Sequence, residues 1–468
     1  VKRPSTTAVD LAVIGAGVIG LSIGWRAAAA GLRVLVLERG KPGSGASHHA
    51  AGMLAPVAEA TAGEEPLLAL GLRSAEVFGA FVSELEAASG ELVRYTRCGT
   101  LLVARDGDEA AALERELALR NGLGLKVERL RASAARRLEP ALAPTLRLAL
   151  DLPADHAVDP RALLSALTSA LGAAGGELRS ETPVASVDLE HARTGARGAS
   201  ADVEQAGARV RGVVLADGTA VRAEHVVVCA GVWSSSLGGL ASGGLVPLRP
   251  VKGQIMRLHD PAGPGLLTRV IRMGVGGSSY ITPRGDGRYV IGATSEERGF
   301  DQTVTAGAMF ELLRDASELV PGVAELVVDE LTAGLRPATP DNLPAIGPAP
   351  DIDGLWWAVG HRRGGILLSP VTAQLIVDGI LGRSGERAAE RAAAFDPGRF
   401  AAHPGGSAAG GGSSAGGGSG AGGGSSAGDG SGAGGGSGAG GGSSAGGGSG
   451  AGAGAGGGSG AAAFRSAA

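Results

Sequence analysis

The sequence predicts an α/β fold: a Rossmann-like dinucleotide-binding domain, discontinuous in sequence, joined to an antiparallel-sheet α+β domain that would face a substrate. Three observations predict it. Val9 to Gly40, VDLAVIGAGVIGLSIGWRAAAAGLRVLVLERG, reads as strand, glycine turn, small-residue helix and second strand. Two β-rich runs far downstream, TPVASVDL (Thr182 to Leu189) and EHVVVCAGVWS (Glu224 to Ser234), read as a return to the same sheet. From Val246 to Leu331 the pattern changes to separated strands, VKGQIMRL, SSYITP, RYVIGAT and ELVVDEL, with one helix near Thr305 to Leu319.

In the first unit the glycines fall as GxGxxG at Gly15, Gly17 and Gly20. Gly15 permits the tight turn, Gly17 lets the backbone approach a pyrophosphate, and Gly20 lets the helix pack closely on the strand. The helix then points unsatisfied N–H groups at the phosphates. Glu38 ends the second strand about 20 residues on, where a carboxylate can accept hydrogen bonds from ribose hydroxyls. The motif alone leaves FAD and NAD open. GSGASHHAAGMLAP, Gly43 to Pro56, is a small-residue stretch suited to running beside a flat cofactor, although a solvent loop would look the same. His48 and His49 have no carboxylate or thiolate partners nearby in sequence, so no metal site is expected.

Pro66 to Ser89 places Leu70, Val77, Phe78, Phe81, Val82 and Leu85 at helical spacing. A strand at Thr100 to Ala104 and a helix at Glu109 to Asn121 follow, and Asp159 with Pro160 supplies the cap and first turn of a helix to Leu171. Asp217 and Gly218 mark a hairpin turn, and Cys229 reads as a small buried apolar residue. The dinucleotide domain is expected over about 8–90, 150–235 and 335–403, and the substrate domain over about 91–149 and 236–334. Near the carboxyl end, AGLRPATPDNLPAIGP carries Arg336, and LWWAVGHRRGGILLSP runs from a strand to a helix with Ser369 and Pro370 as N-cap and N1. Arg362 and Arg363 then stand where a helix start repels cations.

The net charge of -4 over 468 residues, with basic residues dispersed, argues against nucleic-acid and polybasic membrane partners. Two cysteines, Cys98 and Cys229, exclude a disulfide scaffold. Val1 to Asp10 lacks an apolar signal region, and no uninterrupted apolar run of about 18 residues exists, so a soluble cytoplasmic protein is expected. Residues 404–468 are almost only Gly, Ser and Ala and are expected to be a disordered tail.

GAGVIG with Glu38, SHHAAGMLAP, HVVVCAGVWS, GLRPATPDNLPAIG, GHRRGGILLSP and FDPGRF together resemble the glycine oxidase family of ThiO type. That family lies among the FAD-dependent amine oxidases related to D-amino-acid oxidase, and the resemblance spans Val9 to Phe400. It implies a flavin whose ADP half meets Val18, Ile19, Glu38 and Arg39, with further contacts from Ala46, Ser47, Ala51, Gly52 and Met53. Val184 would meet the adenine side, and His361, Arg362, Arg363, Gly364, Gly365, Ile366 and Leu367 would border the isoalloxazine. Substrate contacts fall on Arg336, Tyr280 and Arg363.

An amino acid needs its carboxylate fixed so that Cα–H points at flavin N5, and a planar arginine fork suits that task. The resemblance implies hydride transfer from glycine, sarcosine or small D-amino acids, then imine hydrolysis to glyoxylate and ammonia, with O2 reduced to H2O2. It also implies a homotetramer and supply of glycine imine to thiazole-forming proteins of thiamine synthesis. No cysteine follows Cys229, so the FAD is expected to be noncovalent. The alternatives are a sarcosine or other secondary-amine oxidase, a D-amino-acid dehydrogenase, and a noncatalytic flavoprotein tethered by its tail.

Overall fold

Strand Ala8–Ile14 lies inside a nine-stranded sheet whose main path is Ala345–Pro348, Leu355–Val359, Ala220–Val228, Ala8–Ile14, Val34–Leu37, Glu177–Arg179. The computed structural model describes residues 8–190, 207–240, 245–274, 279–383 and 393–401; the tail expected over 404–468 lies outside them. Val13 pairs in parallel with Val36 on one side and Val227 on the other. Leu11 and Val13 face one apolar core, and Ala12 and Ile14 face another. A strand covered on both faces needs a continuous apolar run, which is what the sequence provides.

On the Val13 side, helix Val18–Ala29 packs against Pro160–Ala173 and Gly365–Ile380, and the long helix Glu65–Ser89 lies over the latter two. Trp25 meets Phe81 edge-on with centroids 5.3 Å apart. By length and composition Glu65–Ser89 could cross a membrane, but it buries Phe78, Phe81, Val82 and Leu85 in this core. Asp159 caps Pro160–Ala173 by accepting the Arg161 amide at 3.0 Å. The hairpin around Asp217 and Gly218 joins Ala208–Leu215 to Ala220–Val228, and the latter strand continues into the parallel sheet.

The second sheet runs Val327–Ala338, Arg249–His259, Arg288–Gly292, Tyr280–Pro283, Val270–Met273, Thr100–Ala104, Leu148–Leu152, Glu128–Arg131. It is antiparallel except where Val270–Met273 runs parallel to Thr100–Ala104. Ile271, Ile281 and Ile291 pair across three strands and enter the core beneath helix Ala306–Leu319. Because side chains alternate, their neighbours Arg272, Tyr280 and Gly292 form a row on the opposite face.

Two expected boundaries fall inside strands. Leu148–Leu152 lies wholly in the second sheet, across 149/150, and Val327–Ala338 carries that sheet past 334 so that Arg336 pairs with Val251. Pro337 suggests a loop in the sequence, yet this strand is at the sheet edge, where proline is tolerated.

The last helix also departs from its reading. It starts at Gly365 with Gly364 as N-cap, so Ser369 and Pro370 lie inside it. Pro370 has no amide to donate to the Ile366 carbonyl. The Ser369 hydroxyl donates to that carbonyl instead, at 3.0 Å, so the pair that reads as a helix start is a repaired helix interior.

This repair gives a double-mutant cycle. Ser369→Ala should cost about 1–2 kcal/mol in urea unfolding, because a buried carbonyl loses its donor. In a Pro370→Ala background, where the amide returns, the same change should cost measurably less.

Candidate active site

The free face of the second sheet and the glycine turn of the first line one cavity of about 540 Å³. Gly15, Gly17, Val18, Ile19, Glu38, Arg39, Ala46, Ser47, Ala51, Gly52, Met53, Val184, Tyr280, Arg336 and the run His361 to Leu367 all border it. Gly20 does not: a Cβ there would run into the Gly15 carbonyl, so its role is close packing of helix on turn. Gly15 has φ +105°, and a Cβ would stand 2.7 Å from the carbonyl oxygen of Cys229, just past the neighbouring strand. Gly17 has open space around it apart from Ser47 Oγ, which a Cβ would meet at 3.3 Å.

At the glycine-turn end the backbone is held by side chains. Glu38 accepts the Ala16 amide at 2.8 Å and the Gly40 amide at 3.1 Å, which fixes its carboxylate beside the turn. The first helix has no side-chain cap at its own N-cap residue, and Ser47 Oγ of the short helix Ala46–His49 accepts the Val18 amide at 3.0 Å. The Arg39 guanidinium stacks 3.6 Å over the Trp233 ring, a cavity residue that sequence reasoning did not single out.

The opposite end is built on glycines. A Cβ at Gly253 would overlap the Arg336 guanidinium, one at Gly292 the Tyr280 phenol, and one at Gly334 would sit 2.7 Å from His49 Cβ. Gly253 and Gly334 are direct register partners, and Gly292 pairs with Tyr280. Arg336 Nη1 donates to the Thr294 carbonyl at 3.0 Å and to the Lys252 carbonyl at 3.4 Å. Among the described residues it forms no salt bridge with a carboxylate. Burial holds its pKa below the usual arginine value, and burial raises that of Tyr280.

Sequence reasoning missed Glu59 and Arg272. Arg272 Nη1 donates to Glu59 Oε1 at 3.1 Å, and Arg363 Nε lies 3.8 Å from Glu59 Oε2. The cation expected to await a substrate carboxylate thus already has a protein carboxylate near it. Burial pushes the Glu59 carboxyl up, but the guanidiniums of Arg363 and Arg272 leave it below its ordinary value. Glu59 follows a clamped segment: the Val57 and Ala58 amides donate to Asp155 at 3.0 and 2.6 Å, while Arg120 donates to both carbonyls at 3.0 and 2.8 Å. Nothing local marks Glu59 among the acids of VAEATAGEE; its partners come from a distant strand and a distant turn.

The helix amino terminus of Gly365–Ile380 opens onto the cavity, five residues earlier than the sequence suggests. Arg362 has φ +46° and its amide donates to the Pro337 carbonyl at 2.8 Å, tying this turn to the edge strand of the second sheet. His361 is buried against Thr372 Oγ1 at 3.0 Å, and burial lowers its pKa to about 3. His49 is lowered to about 4 by burial and by the neighbouring His48. Its Nδ1 is buried and has no hydrogen-bond partner among the described residues.

A family model described as FAD dependent oxidoreductase matches residues 10–379. The chain is 35% identical over 370 residues to a glycine oxidase of Geobacillus kaustophilus, covering 79% of this chain and 92% of that protein. It is 34% identical over 399 residues to a bifunctional ThiO/ThiG protein of Synechocystis, covering 84% of this chain and 54% of that one. The solved glycine oxidase from Geobacillus kaustophilus superposes with a TM-score of 0.73 at 34% identity, covering 84% of this chain and 98% of that one.

Two outcomes follow from this geometry. Gly253→Ala should displace the Arg336 guanidinium and raise KM about tenfold or more, with bound flavin retained in the visible spectrum. His361 is neutral when folded and protonates below about 6.5 when unfolded, so stability is lost as pH falls from 6.5 towards 3. Between pH 7 and 5, wild type should lose about 2 kcal/mol more than His361→Asn in denaturant titrations.

Proposed function

The chain belongs to the FAD-dependent oxidoreductase family, and from that premise we propose that it oxidatively deaminates glycine, and with it sarcosine and small D-amino acids. The observation that carries this reading is Arg336: a buried guanidinium, held by backbone carbonyls, with its remaining donors free of any described carboxylate. A planar fork in that state fits a substrate carboxylate. Tyr280 stands on the same sheet face and, with its pKa raised, stays a neutral hydrogen-bond donor.

The residues present fit FAD. The glycine turn leaves room for a pyrophosphate, and Glu38 is fixed beside it for a ribose. When bound, FAD accepts the hydride from the substrate Cα and passes the electrons to O2, yielding H2O2. The chain's own task is placement: Arg336 and Tyr280 fix the carboxylate, so the Cα–H bond has one orientation. The amino terminus of Gly365–Ile380 offers amides and a dipole that favour negative charge at that end of the cavity. His361 and His49 are held neutral by burial, and neither is needed to take a proton from carbon. The imine then leaves to hydrolyse to glyoxylate and ammonia, or serves thiazole formation for thiamine.

The fusion named ThiO/ThiG in Synechocystis supports the thiazole role and a thiazole-forming partner. A noncovalent flavin, a cytoplasmic location and a homotetramer belong to the same proposal. Sarcosine or secondary-amine oxidation, D-amino-acid dehydrogenation and a noncatalytic tethered flavoprotein are the readings to be separated from it.

Purified protein should be yellow and should form peroxide from glycine and sarcosine. Arg336→Ala should lower kcat/KM by about 10- to 100-fold, the worth of a charge-assisted pair, without losing flavin. A colourless protein that takes up no FAD would overturn the proposal. Turnover only with an artificial acceptor would establish the dehydrogenase instead, and undiminished activity in Arg336→Ala would remove the anchor.

A further inference from the structure

Resting on the amine-oxidase reading, we propose that the preferred substrate class is an amine carrying a second anionic group beside its α-carboxylate, bound between Arg272 and Arg363. The argument begins with charge. Arg272, Arg336 and Arg363 border one end of the cavity, and Glu59 is the carboxylate they share. Three guanidiniums against Glu59 leave two positive charges, and Arg362 and Glu64, which also line the cavity, offset one another. The α-carboxylate of glycine answers one of them, at Arg336. The second surplus charge belongs to the trio Arg272, Glu59 and Arg363.

Geometry places that trio within reach of the same substrate. Arg272 and Tyr280 are direct register partners on adjacent strands, so their side chains rise side by side from one face. Tyr280 in turn feels both Arg336 and Arg272 electrostatically. In the strand order Tyr280 lies between the strand that carries Arg336 and the strand that carries Arg272. The backbone leading into Glu59 is fixed, because Asp155 and Arg120 clamp the two residues before it through both amides and both carbonyls. Its two oxygens are turned to different arginines, one to Arg272 and the other to Arg363. An anion entering between those guanidiniums meets a net charge of +1 with planar donors, while a methyl group in the same place leaves that charge unanswered.

The chemistry needs no new reagent. In an N-carboxymethyl amine such as iminodiacetate, the Cα–H hydride passes to the bound flavin and the amine proton to solvent, forming C=N. Water adds to that carbon and the C–N bond breaks, giving glyoxylate and glycine. Electrons end on O2 as in the reaction proposed above.

The test uses matched pairs that differ by one carboxylate. With flavin-loaded protein, dissociation constants are measured by calorimetry for thiodiacetate and (methylthio)acetate, which cannot be oxidised at nitrogen, and kcat/KM for iminodiacetate and sarcosine. Wild type should bind the dianion about tenfold or more tightly than the monoanion, and should favour iminodiacetate over sarcosine by a similar factor. Arg272→Met should abolish both preferences, Arg272→Lys should retain them in part, and Glu59→Gln should increase them. The opposite signs at Arg272 and Glu59 are what a merely structural role would not give. Equal dissociation constants for the two thioethers in wild type, or a preference unaltered in Arg272→Met, would overturn the inference even if sarcosine is oxidised. Absence of turnover with glycine, sarcosine and iminodiacetate together would instead overturn the oxidase reading, and the calorimetric ratio would still decide the anion site.

Discussion

A guanidinium laid across a glycine is the contact on which the substrate end of this molecule depends. Gly253 gives up its side chain so that Arg336, on the edge strand beside it, can lie flat over the sheet. The same device recurs within a few residues: Gly292 admits the Tyr280 phenol and Gly334 admits His49. A sheet normally fills its face with side chains of similar height. Removing three of them makes a depression whose walls are a cation, a phenol and an imidazole, and the register of the strands decides which residue fills which gap. The backbone carbonyls of Thr294 and Lys252 then hold the guanidinium at one end without neutralising it. The charge is thereby positioned and left available.

Glu59 works on a different principle. Its charge is retained because three arginines surround it, as burial by itself would push its carboxyl up. The segment before it is held through main-chain groups, which no substitution of its own side chains could release. Arg120 and Asp155 are thus structural residues with a functional consequence. They restrict where the carboxylate can go, and so keep Arg272 and Arg363 facing one another across it.

Much of this was legible in the sequence, and what was legible is local. The glycine turn, Glu38, the Asp-Gly hairpin and the Asp-Pro helix start announce themselves through backbone requirements that only certain residues meet. Arg336 and Tyr280 were found through the resemblance, since nothing about a lone arginine before a proline reveals its partners. Glu59 and Arg272 were missed because they meet only after residues 213 positions apart are brought together. Ser369 and Pro370 misled for a related reason: a helix start leaves its first amides free, so a serine can accept there and a proline loses nothing, whereas here the serine hydroxyl donates to the Ile366 carbonyl that an interior proline leaves without an amide.

The protonation states of the cavity follow from burial in opposite directions. Tyr280 is pushed up, and His49 and His361 are pushed down to about 4 and about 3, so each is neutral through the physiological range. The guanidiniums of Arg363 and Arg272 hold the Glu59 carboxyl below its ordinary value. Asp155 differs: burial raises it to about 7 against the two amides it accepts. As pH falls through that value a proton on one oxygen weakens one of those bonds. A pH dependence near neutrality that originates in the enzyme thus leads to the support beneath Glu59, not to a histidine base. Any further dependence lies with the substrate amine, which must shed its proton before its Cα can give up a hydride.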